Sequence, residues 1–191
     1  MKTKYTNYKG ETYYLHKGKT KKGGPQYFFS KKEEGEPVEG IPKGYEIYEN
    51  PNGRVFLRKF VPKEITQEEV SIVENGIRHL AKLANYKIDV NGKTITIYSP
   101  DQEIDDLRRY FGSLSLINRS LLDDSLKSVL SYSPMMRFIL ISGKGRKFRV
   151  ERVHSMDAQG GWLLLDEPND LPRLVRKYCR HLGKDSFYEL I

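Results

Sequence analysis

Gly18-Lys19-Thr20 and Gly92-Lys93-Thr94 each end like a phosphate-binding loop, and Leu163-Leu164-Leu165-Asp166-Glu167-Pro168 resembles the magnesium-binding strand of transporter-type ATPases. A phosphate loop also needs a glycine five residues before its second glycine, so that backbone amides can wrap the phosphates. Those positions hold Tyr13 and Lys87. Both fragments fall in predicted hairpin turns instead of between a strand and a helix. The Leu-Leu-Leu-Asp-Glu run then reads as a buried strand with a polar exit.

Metal and hydrolytic chemistry find as little support. His16, His79, His154 and His181 are scattered, and Cys179 and His181 stand two apart on a predicted helix, where side chains diverge. There is no paired-cysteine motif for a structural zinc site. No lysine has Asp or Glu two residues before it, which removes one common nuclease signature. Asp89, Glu151, Asp157 and Asp166 form no sequence motif, and no Gly-x-Ser-x-Gly elbow occurs. Neither a metal nor a cofactor is expected.

Cations are distributed less evenly. The 191 residues carry 33 Lys+Arg and 25 Asp+Glu, a net charge of +8. Residues 1–32 hold nine lysines and a single acid, Glu11, so the whole excess lies there. Half of the 22 aromatic residues fall within 1–60. Lysines track phosphates and rings stack on bases, so this mixture suits nucleic acid. The same mixture also describes a small sheet with an aromatic core and solubilising lysines.

Three basic elements stand out. Lys17, Lys19, Lys21 and Lys22 crowd a turn-rich loop. Lys144, Arg146, Lys147 and Arg149 surround a second hairpin tip, between residues 142 and 149. In residues 171–182, Leu171, Leu174, Val175, Tyr178 and Leu182 fall on one helical arc, with Arg173, Arg176, Lys177 and Arg180 opposite. Such a helix suits a phosphate backbone, and equally an ordinary solvated helix whose cations answer the dipole at its C-terminal end. The nucleic-acid reading requires these elements to share one surface. An exposed member of Tyr13, Tyr14, Phe28 or Tyr48 would stack on an unpaired base.

The elements that must position these groups follow from pattern. Residues 12–16, 26–30, 45–48 and 54–58 have strand composition, separated by Gly/Pro/Asn turns, and make a small antiparallel sheet over 8–60. A boundary falls near Pro62. Thr66-Gln67-Glu68-Glu69 is a capping box opening a helix with Val70, Val73, Ile77, Leu80 and Ala84 at helical spacing. Asn91-Gly92 joins a hairpin. Helices are predicted over about 100–112 and 116–131, strands over 136–142, 147–154 and 162–166, and a last helix between Asp170 and Gly183.

The expected class is therefore α+β: a basic, aromatic-rich β module over 1–61, then over 62–191 an antiparallel sheet packed with about four helices. One cysteine, Cys179, permits no internal disulfide and suits a reducing, cytoplasmic setting. No run of 18 apolar residues spans a membrane, no apolar segment follows Met1 to Tyr5, and no membrane partner is expected. The leading reading is a non-catalytic protein binding DNA or RNA. The alternative is a protein-interaction module whose aromatic sheet docks on another chain or a second copy, with lysines as its rim. An enzyme with a site assembled across both modules has no motif in its favour.

Overall fold

The computed structural model describes residues 3–36, 38–102, 107, 109, 126, 129–142, 144–154 and 161–191. The chain divides into two compact units, Met1–Val61 and Pro62–Ile191.

In the first unit, β1 (Lys4–Thr6), β2 (Thr12–Lys19) and β3 (Pro25–Ser30) form an antiparallel sheet in that order. The strands β4 (Tyr45–Glu49) and β5 (Val55–Lys59) pair as a separate hairpin. Leu15 lies opposite Phe29 and Lys17 opposite Tyr27, so alternation puts Tyr13, Leu15, Tyr27 and Phe29 on one face. Leu15, Tyr13 and Val55 are its buried apolar side chains. The Tyr27 and Tyr45 rings meet at 6.4 Å, and Tyr5 donates to Glu49 Oε2 at 2.9 Å, joining the sheet to the hairpin.

The second unit is a five-stranded antiparallel sheet, order β10-β9-β8-β7-β6. Its strands are β6 (Lys87–Asn91), β7 (Thr94–Pro100), β8 (Tyr132–Ser142), β9 (Lys147–Val153) and β10 (Trp162–Asp170). Ile95, Ile97, Met136, Phe138, Leu140, Phe148 and Val150 alternate onto one buried face. Against the same core pack Val73 and Ile77 of α1 (Gln67–Leu80) and Leu171, Leu174, Val175 and Tyr178 of α2 (Leu171–Tyr178). Thr66 and Glu69 form the capping box at the start of α1. Asp170 caps α2, accepting from the Arg173 amide at 3.1 Å. Beyond Tyr178 the chain tightens into 3₁₀ turns at Cys179–His181 and Asp185–Phe187.

The α+β expectation, with about four helices on the second sheet, requires correction. The described residues form ten strands in three sheets and two α-helices, a mostly β protein. The predicted helices over 100–112 and 116–131 lie largely outside the described residues. Five strands spaced about 4.8 Å apart are roughly 20 Å wide. Two helices of about 10 Å diameter cover one such face. Gly76 lets α1 and α2 approach closely, since a Cβ there would stand 2.1 Å from Val175 Cγ1.

Candidate functional site

The β2–β3 turn is built by Thr20. Its amide donates to the Gly24 carbonyl at 2.8 Å and its Oγ1 accepts from the Gly24 amide at 3.1 Å. Gly23, at φ +81°, donates to the Thr20 carbonyl, in a conformation that favours glycine. This closed turn holds Lys19, Lys21 and Lys22 exposed, and none of the three has an ion-pair partner among the described residues. Lys17 is exposed too, but its Nζ is 3.6 Å from Glu36.

The four candidate stacking rings differ sharply. Tyr13 is buried, Tyr14 is half-buried, and Phe28 is 43% exposed. Phe28 leans on the buried His16 ring at 5.7 Å, and glycine at position 18 leaves room for it. Tyr48 is half-buried beneath the Arg58 guanidinium, 3.9 Å from the ring centre.

In the second unit most candidate cations are committed elsewhere. Arg146, at φ +46°, sends Nε to Glu69 Oε1 at 2.7 Å and Nη2 to both Glu69 Oε2 and the Glu64 carbonyl. It therefore clamps its hairpin to the first turn of α1. Arg149 pairs with Glu151 at 3.0 Å, and Lys177 with Asp166 at 2.8 Å. Arg180 Nε reaches His181 Nε2 at 3.4 Å. Lys144 and Lys147 are exposed, and so are Arg173 and Arg176; the two arginines have no ion-pair partner among the described residues.

Alternation separates these groups. Phe148 and Val150 point into the helix-covered core, so Arg149 lies on the opposite face of the sheet. The exposed cations of α2 point away from that core on the helix side. Within this unit Lys147 and Arg149 lie on the face of the sheet opposite α2, whereas Arg146 at the hairpin tip reaches the helix side.

Sequence patterning missed a crevice of about 460 Å³ in the first unit, walled by residues 9–13, 29–31 and 52–56. Asn7 shapes it. Buried at 4% exposure, its Nδ2 donates to the Gly53 carbonyl and to Glu11 Oε2, and its Oδ1 accepts from the amides of Lys9 and Glu11. Lys31 pairs with Glu11 and lies 5.7 Å from the Tyr13 ring centre. Hydrogen bonds from Lys31 and Asn7 hold the Glu11 carboxyl below its ordinary range. Burial, with Glu11 nearby, pushes the Tyr13 phenol up. The one local signal in the sequence is Asn7-Tyr8-Lys9-Gly10, a turn pattern with Asn first.

Catalytic arrangements are weaker. Ser186 Oγ lies 2.9 Å from His181 Nδ1. Because Arg180 donates to Nε2, the proton resides on Nδ1 and is donated to the serine, the reverse of what activates a nucleophile. Burial and the neighbouring Arg180 and Lys184 hold His181 below its usual range, favouring the neutral ring. Among the described residues no group of three His, Cys, Asp or Glu could hold a metal ion. Among them, too, no helix is long and apolar enough to cross a membrane. No protein-family model, curated protein or solved structure matches the chain.

Proposed function

We propose that the chain binds nucleic acid, DNA or RNA, through the β2–β3 turn of its first unit. The observation that supports this reading is the trio Lys19, Lys21 and Lys22, exposed and without ion-pair partners among the described residues, on a turn closed by Thr20 and Gly24. Three ammonium groups held this way carry fields that neighbouring carboxylates do not cancel, and a phosphate backbone is the polymer that answers them. Lys17, half committed to Glu36, extends the track. Phe28 on β3 supplies an exposed ring on the same hairpin. Cys179, the chain's one cysteine, is buried, and burial pushes its thiol up to about 12, which suits a protein of the reducing cytoplasm.

Fluorescence anisotropy with labelled single- and double-stranded DNA and RNA between about 50 and 200 mM salt tests the reading. Each phosphate contact contributes about 0.7–0.9 to the log–log salt slope, so K19A/K21A/K22A should lower the slope by about 2 to 3 and weaken binding. An unchanged affinity and slope would sink the proposal.

A further inference from the structure

The crevice between residues 9–13, 29–31 and 52–56 combines an aromatic wall with a cationic rim. Phe29 and Phe56 line it with Tyr13, and Phe56 is 45% exposed. Three cations border it, Lys9, Lys31 and Arg54, against a single carboxylate, Glu11. That carboxylate is already spent: Lys31 and Asn7 both bond to it. Among the described residues Lys9 and Arg54 have no ion-pair partner, and Lys9 lies 5.8 Å from the Tyr8 ring centre. The site therefore presents rings and two positive charges without carboxylate partners among the described residues, in an open crevice of about 460 Å³.

We infer that this crevice takes one unpaired nucleobase, stacked on Phe56, with its phosphate between Arg54 and Lys9. This deepens the reading above, on which it rests: the hairpin lysines supply affinity for any phosphate backbone, and the crevice supplies preference for an unstacked base. The chemistry follows from the groups present. A purely apolar ligand would leave the guanidinium and the ammonium unanswered, and a bare anion would leave the rings unused. A nucleotide satisfies both, since every base has a π-face and one charge beside it. Alternation puts Arg54 and Phe56 on one face, with the Tyr48 ring stacked against Phe56 and the Arg58 guanidinium held by Glu46. Asn7 fixes the crevice by tying the 7–11 turn to the carbonyl of Gly53.

The test uses the full chain and a short single strand carrying one 2-aminopurine, whose fluorescence falls when it stacks, with 2-aminopurine riboside monophosphate as a second arm. Binding of the strand should quench the probe. Phe56→Ala should abolish the quench and weaken single-strand binding by roughly 5- to 150-fold, the range found for one lost base–aromatic stack. Phe56→Tyr should restore both, and Arg54→Ala should weaken both. Phe56 and Arg54 are exposed, so these replacements leave the buried core intact. K19A/K21A/K22A, by contrast, should weaken strand and duplex alike while leaving the quench at saturation. A strand that binds without quenching, or with a quench indifferent to Phe56→Ala, overturns the crevice and leaves the hairpin reading standing. Should no strand bind, the hairpin reading fails by itself. A Phe56-dependent quench by the monophosphate would then support the crevice with a free nucleotide as its source, and no quench in either arm would overturn it.

Discussion

Glu69 illustrates how much one side chain can hold together. It closes the α1 capping box by accepting from the Thr66 amide at 2.9 Å, and it receives both arms of Arg146. Burial by itself would raise this carboxyl, but the Arg146 and Thr66 hydrogen bonds outweigh it and hold the group below its ordinary value. An acid whose folded value is depressed contributes stability that is present above its unfolded value, about 4.3. That contribution is lost as pH falls through the folded value. Glu69→Gln should therefore lower stability by about 1–2 kcal/mol at neutral pH, with the difference shrinking below about pH 4. Urea unfolding at a series of pH values checks this, and a difference that ignored pH would refute the assignment. The cap itself was legible, because Thr66 and Glu69 are three residues apart. The Arg146 clamp was not, since it joins residues 77 positions apart. The same distinction explains Asn7. Its turn is local, whereas its bond to Gly53 spans 46 positions.

At the level of elements, hairpins and caps came through because their signals are short in range. Asn91-Gly92 joins β6 to β7, and Asp170 starts α2, as turn and cap chemistry predicts. The first strand, only three residues long, offered too little pattern to be seen. Apolar periodicity, by contrast, says that a helix face must be covered, not by what. Gly76 shows the same limit from the other side. Helix propensity favours alanine there by about 1 kcal/mol. Its Cβ, however, would meet Val175 Cγ1 at 2.1 Å, and overpacking of that kind costs about 1–3 kcal/mol. Gly76→Ala should thus destabilise the protein, and Val175→Ala in the same chain should recover part of the loss. Denaturant unfolding of the two single variants and the double closes the cycle, and strictly additive losses would contradict direct contact between these positions.

Across the whole molecule, charge is partitioned by unit. Met1–Val61 carries 13 Lys+Arg against 7 Asp+Glu, so six of the eight net positive charges lie there. In the second unit Arg146, Arg149 and Lys177 already answer carboxylates. If the first unit holds the interface, R173A/R176A should leave the salt slope of nucleic-acid binding where it was. A fall of about 1.5 would instead move the interface to α2. The sequence by itself determined the strand-forming segments after the first, the caps and the concentration of charge near the N-terminus, because each depends on neighbours within a few positions. Only the tertiary structure decided which cations answer carboxylates, that Lys147 and Arg149 lie on the sheet face opposite α2, and that Phe29 and Phe56 border one crevice. Those properties depend on side chains brought together from distant positions by strand pairing and burial, and a one-dimensional pattern carries no record of that pairing.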